Sequence, residues 1–411
     1  MAMSETIPIF TLNNGIRIIH KEVHSPVSHF GVLVNAGTRD EPEDRAGLAH
    51  FTEHTLFKGT SHRTSLQVTR RIENAGGELN ASTAKEETYL HASFLSSDYP
   101  RAMELLSDIL FNATFPEKEL DREKDVVLEE INYYRDAPYE LIFDEIEEVA
   151  FSGHPLGRNI LGTKKSLKQI HRNDILGFMK RHYTADHIVL SSVGNISSDT
   201  YIKYCKRFFD FPISGSSDRV RQPVSEYVPT LIRKKKNTSQ AHLMLCNRAF
   251  SFYDKEREAF TLLTNLMGGP ALSAQLNRVI REKLGLAYSV EANYSPFTDS
   301  GLFSVYIGCE KVMIDRCIDL VYKELSKICS KKLGTAQLHN AKKQFLGQIA
   351  ITNESKLNEM LSVGRSALFF DEVETSESSF RKVEAITAEE IMEAANRIFV
   401  PDQFSTLIYS N

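Results

Sequence analysis

Apolar residues recur along this chain at two periods, and the switching between them lays out its elements. In Ala46-Gly47-Leu48-Ala49-His50-Phe51-Thr52-Glu53-His54-Thr55-Leu56-Phe57-Lys58-Gly59-Thr60, Leu48, Phe51, Leu56 and Phe57 supply one apolar helix side, and Gly59 a terminator. Leu120, Val127, Leu128 and Ile131 keep helical spacing inside a charged stretch, which predicts a second helix over 117–130. Between these two, Arg70-Arg71-Ile72-Glu73-Asn74-Ala75-Gly76-Gly77 leads into a strand over 78–83, a turn at 84–87, a strand over 88–95 and a helix over 98–110. The same order returns later: Arg278-Val279-Ile280-Arg281-Glu282-Lys283-Leu284-Gly285, a strand over 286–293, a turn at 295–301, a strand over 302–309 and a helix over 312–329. Near the midpoint, Pro212-Ile213-Ser214-Gly215-Ser216-Ser217-Asp218 interrupts the pattern with the small polar residues of a linker. The expectation is an α+β chain of two homologous domains, 1–213 and 219–411, each with helices packed on a mainly antiparallel sheet.

Composition narrows the function classes. The chain is 42% hydrophobic and 25% charged, as ordinary globular proteins are. A net charge of −5 over 411 residues offers no basic footprint for nucleic acid, and the run Arg233-Lys234-Lys235-Lys236 reads as a solvated linker edge. No apolar run approaches the ~20 residues that span a bilayer, and the start, MAMSETIPIF, lacks a charged region followed by a long apolar core. These features predict a soluble, cytoplasmic protein with no membrane partner. Cys205, Cys246, Cys309, Cys317 and Cys329 are odd in number and free of CxxC spacing, so they are expected to be reduced, buried and uninvolved with metal.

The chemistry is concentrated in His50-Phe51-Thr52-Glu53-His54. Histidines four apart project from one helix face about one turn from each other, so two imidazoles reach one metal. Catalytic zinc sites commonly use three protein ligands and leave a fourth position to water. A third ligand is available in the acidic helix, where Glu130 follows His54 by 76 residues. Glu123 and Glu130 fall on one stripe, seven residues apart. Glu129 competes for the ligand role, although it points roughly 100° away from that stripe. Glu53, left over, suits a general base. The order HxxEH inverts the commoner HExxH. The other histidines considered (His62, His91, His154, His171, His182, His187 and His242) have no such spacing and are expected to be structural.

These strings resemble the M16 peptidases, the pitrilysin, insulinase and mitochondrial processing peptidase group, over nearly the whole chain. The length resembles that of short two-domain bacterial processing-peptidase homologues. The resemblance implies Zn2+, one per chain, on His50, His54 and Glu130, with Glu123 as a supporting carboxylate and Glu53 as general base. It also implies that Arg281 and Tyr288 hold the substrate carbonyl and stabilise the oxyanion, in a second domain that is an inactive repeat: Leu262-Leu263-Thr264-Asn265-Leu266-Met267-Gly268-Gly269 carries no His or Glu where the metal string would recur. In Leu79-Asn80-Ala81-Ser82-Thr83 it implies an open sheet edge that pairs with a peptide main chain, Asn80 adding its amide. His154-Pro155-Leu156-Gly157-Arg158-Asn159-Ile160-Leu161-Gly162 matches a family signature and reads as a structural loop without chemistry. The expected activity is hydrolysis of peptides or extended polypeptide segments. Larger relatives join four such domains, so a two-domain chain is expected to form a homodimer with composite active sites. A catalytically silent processing-complex subunit and a metal sensor or store are the competing readings.

Overall fold

The computed structural model describes residues 6–213 and 219–411; positions 214–218 of the expected linker lie outside the described residues. The chain forms two compact units, one from the described residues of Met1–Asn132, Arg158–Arg221 and Ala350–Ser378, the other from Tyr133–Gly157, Gln222–Ile349 and Ser379–Asn411.

In the first unit, β1 (Ile9–Thr11), β2 (Arg17–Glu22), β3 (Val27–Val34), β4 (Glu78–Thr83), β5 (Thr88–Leu95) and β6 (Ile188–Gly194) form a sheet in the order β1-β2-β6-β3-β5-β4. In the second, β7 (Leu231–Lys235), β8 (Ala241–Ala249), β9 (Ala287–Pro296), β10 (Gly301–Cys309) and β11 (Ser405–Ser410) form a sheet in the order β7-β11-β8-β10-β9. Leaving β1 aside, the two orders match strand for strand. Each has one parallel pair, β2 with β6 and β7 with β11, and is otherwise antiparallel. The protein is therefore α+β, with one sheet topology built twice.

The expected hairpin strands appear as β4 with β5 and β9 with β10. The second turn is shorter than 295–301, because Pro296 still pairs with Gly301 and Phe297 N–H closes on Ser300 C=O at 2.7 Å. The run at 233–236 is also not a linker edge. Arg233, Lys234 and Lys235 lie in β7, at the border of its sheet, where charge discourages pairing with other chains, and Lys234 reaches Glu145 at 2.6 Å. Cys205, Cys246, Cys309 and Cys317 are buried and Cys329 is half-buried, all as free thiols.

Alternation is legible where one sheet face is more exposed: in β5, Thr88, Leu90, Ala92 and Phe94 are buried while Tyr89, His91 and Ser93 are half-buried. β6 and β10 are buried throughout, since helices cover both faces. The helix Lys356–Phe370 closes the first sheet: Ser191 donates to Met360 C=O at 2.7 Å, and a Cβ on Gly364 would sit 2.7 Å from Leu33. In the second unit the covering helix is Pro138–Ala150, whose Ile142, Ile146 and Ala150 pack with Met244, Leu302 and Leu407. Each large aliphatic side chain buried this way contributes ~1.5–3 kcal/mol. The covering helix of each sheet thus comes from the other half of the sequence. Among the described residues, no helix is long and apolar enough to cross a membrane.

Candidate metal centre

The motif helix α1 (Leu48–Leu56) starts at Gly47, which has φ +89°. A Cβ there would lie 2.6 Å from Leu161 C=O, and one on Gly162 would lie 2.2 Å from Ala46 C=O, so two glycines let the loop at 161–162 press on the helix entrance. This gives the structural loop at 154–162 its purpose. Neither Gly47 nor a neighbouring side chain caps α1 in the usual way. Glu41, buried, reaches forward and accepts from Gly47 N–H at 2.9 Å and Ala49 N–H at 2.7 Å. Burial pushes its pKa up to about 8, against the lowering influence of these two bonds.

Phe51, Leu48 and Leu56 are fully buried, which points the opposite helix side toward the acidic helix Glu117–Arg135. There the imidazoles of His50 and His54 lie 4.4 Å apart, ring centre to ring centre. Glu130 Oε2 lies 3.8 Å from His50 Nε2 and 3.7 Å from His54 Nε2. All three ligand atoms lie within 4.8 Å of one another. A tetrahedral zinc with bonds of ~2.0–2.1 Å needs its ligands ~3.3 Å apart, so this donor set fits the ion and leaves a fourth position open. Glu129, the competing residue, is exposed.

Glu123 joins the cluster from the same helix stripe as Glu130, about two turns earlier. Its Oε1 accepts from His54 Nδ1 at 3.0 Å and its Oε2 from Lys58 at 2.6 Å. This contact favours a proton on Nδ1 and leaves Nε2 facing Glu130. Burial pulls the Glu123 pKa up, and the hydrogen bonds from His54 and Lys58 outweigh it, holding the carboxyl below its ordinary range. Burial, with the nearby His54, drives His50 down to about 3. Burial also disfavours charge on His54, but Glu123 and the neighbouring carboxylates prevail and its pKa is raised. Glu130 is raised by desolvation, partly offset by His54.

Glu53 lies outside the three-ligand set, and its Oε2 accepts from the Thr83 hydroxyl at 2.7 Å. Burial raises its pKa above that of an ordinary glutamate, against the lowering influence of Thr83 and His54. Thr83 ends β4, the border strand of its sheet. Asn80 is exposed on that strand, and its Oδ1 accepts from Ala81 N–H at 2.8 Å.

Arg281 and Tyr288 belong to the second unit. Arg281 lies in a π-helical turn, Asn277–Lys283, a rare form. It borders a cavity of about 530 Å³ shared with Thr264, Asn277 and Glu291. Tyr288, near the start of β9, is 64% exposed, so its ring is not the core residue that an ordinary strand tyrosine would be. Among the other histidines, His62 bonds Asp108 at 2.6 Å and His242 bonds Tyr306 at 2.8 Å, both structural contacts. Sequence reasoning missed Glu41, Lys58 and Thr83, none of which stands at a recognisable motif spacing from the residue it serves.

Residues 17–164 match the family model described as insulinase (peptidase family M16), and residues 169–345 match the one described as the peptidase M16 inactive domain. The chain belongs to the M16 peptidase family. A relative named as an uncharacterized zinc protease, YmxG of Bacillus subtilis, is 31% identical over 401 residues, covering 97% of each chain. Another, Rv2782c of Mycobacterium tuberculosis, is 32% identical and covers 94% of this chain and 90% of its own. Among solved structures, a protease from Helicobacter pylori superposes with a TM-score of 0.91 at 19% identity, covering 99% of this chain and 100% of that one. A peptidase M16 inactive domain from Pseudomonas fluorescens gives a TM-score of 0.89 at 20% identity, covering 98% and 97%. These two likenesses concern the fold.

Proposed function

We propose that this protein is a zinc-dependent endopeptidase that cleaves peptides or extended polypeptide segments. The observation that carries the reading is the convergence of His50, His54 and Glu130 ligand atoms within 4.8 Å, with Glu53 beside them and held by a different partner. One zinc per chain, held by these three, would supply a Lewis acid and water acidic enough to ionise near neutrality. Glu53 accepts the proton of the attacking water and returns it to the leaving amine. Glu123 and Lys58 fix the His54 tautomer. The free edge of β4, at Asn80 and Ala81, pairs with the substrate main chain, which accepts many sequences because main-chain bonds ignore side chains. Arg281 and Tyr288 hold the substrate carbonyl. A silent processing subunit would have no use for a complete ligand set with Glu53 anchored beside it, and a metal store would leave Glu53 idle. The proposed setting is the cytoplasm.

A digest of a mixed peptide library, with and without chelator and with products mapped by mass spectrometry, tests the reading. Internal cleavage that stops with chelator and returns with zinc is expected; chelator-insensitive cleavage, or none under any metal, rejects it.

Our proposal extends to assembly: a two-fold homodimer in which Arg281 and Tyr288 of each chain serve the partner's metal, giving two composite sites. E53Q and Y288F proteins are each expected to be impaired. Mixed dimers should regain about half of wild-type activity, because one site receives both intact residues. Activity no higher than that of the parents, or an active monomer, rejects the shared site.

A further inference from the structure

We infer that Thr83 is a positioning residue for Glu53, fixing which carboxylate oxygen is free to take a proton; the inference rests on the general-base role proposed above for Glu53. Thr83 Oγ1 donates to Glu53 Oε2 at 2.7 Å, from a residue only 8% exposed. With that oxygen engaged, Oε1 is the one left for the attacking water.

The support behind Thr83 is unusually firm. As a β-branched residue it has few rotamers, and its backbone is held in the β4–β5 hairpin opposite Thr88. The turn that follows, Lys85-Glu86-Glu87, is charged yet buried, and each side chain is tied to a separate segment of the same unit. Lys85 donates to Arg158 C=O at 2.6 Å, Glu86 accepts from Arg39 at 2.6 Å and lies 3.2 Å from Arg221, and Glu87 pairs with Arg365 at 2.5 Å. Three buried charges within one tight turn are costly to leave unpaired, so the turn has little freedom to shift and Thr83 moves only if that network breaks. β4 thereby does two things at once. Its free edge faces outward for main-chain pairing, while its last residue holds the base. Binding of a peptide strand and orientation of Glu53 are functions of the same rigid element.

Outer partners of metal ligands typically carry ~10–100-fold of affinity or activity, and Thr83 is expected to act on the same scale through Glu53. T83V, which keeps the shape and removes the donor, is therefore expected to lower kcat by ~10–100-fold, with KM within about twofold and zinc content unchanged. T83S, which restores a donor, should recover most of the loss. A second readout needs no metal. In chelator-stripped protein, T83V is expected to shift the melting temperature when Glu53 is present and to have no effect in an E53A background, since the partner is gone. T83A carries the same comparison if the valine variant fails to fold. Wild-type kcat in T83V, equal impairment of T83S and T83V, or the same thermal shift in both backgrounds overturns the inference. If E53Q itself stays active, the general-base reading fails first; if E53Q is inactive while T83V is unimpaired, only the Thr83 inference fails.

Discussion

E53Q is expected to keep its zinc and to lose at least ~100-fold in turnover, the lower end of what general acid–base catalysis supplies. The substitution changes little else. Glutamine has the shape of glutamate, its amide oxygen can still accept from Thr83, and position 53 is outside the ligand set. What it removes is the ability to take up a proton. The environment of the glutamate favours that uptake, because burial raises its pKa above an ordinary carboxylate's and brings its proton affinity nearer to neutrality, while Thr83 and His54 restrain the shift. Metal analysis alongside steady-state kinetics on one peptide separates the two effects. Near wild-type cleavage by zinc-loaded E53Q would sink the role, and loss of zinc with loss of activity would make Glu53 a ligand.

How much of this was legible beforehand follows from which interactions are periodic. The spacing of His50 and His54 and the common stripe of Glu123 and Glu130 are properties of a single helix, and the structure brings those four side chains together. The same phase argument set Glu129 aside, and it is exposed. The repeated order of elements likewise foretold one sheet topology used twice. Contacts made across the fold leave no such trace. Thr83 reaches Glu53 over a separation of 30 residues, and Glu41 caps α1 from eight residues before Ala49, beyond the range where capping boxes are sought. Gly162 reads as part of a structural loop until its approach to Gly47 is seen. The helix Lys356–Phe370 shows the same limit: its apolar side announces burial, but nothing in its own pattern says that the partner is a sheet whose strands end near residue 194.

H50A, H54A and E130Q are expected to lose most of the bound zinc, and with it activity, whereas E129Q keeps both. A three-ligand site stripped of one member has two protein donors left, and Glu129, exposed on another side of the helix, cannot replace Glu130. The two histidines differ in how they meet the metal. His50, driven by burial and the nearby His54 to about 3, is neutral near pH 7, so it offers its lone pair there without releasing a proton. His54 has a raised pKa because its hydrogen bond to Glu123 and the surrounding carboxylates outweigh burial. In the metal-free protein its charged form contributes stability that is fully present below 6.5 and is lost as pH rises through the raised value. Below the His54 pKa zinc must therefore displace that proton, and apparent affinity should fall there by about tenfold per pH unit. Calorimetric titration of zinc in buffers of different ionisation enthalpy measures that proton. E123Q, which weakens the hold on the His54 proton, should reduce its release. Full zinc in E130Q together with loss in E129Q would reassign the third ligand, and metal binding without proton release below pH 6.5 would remove His54 from the site.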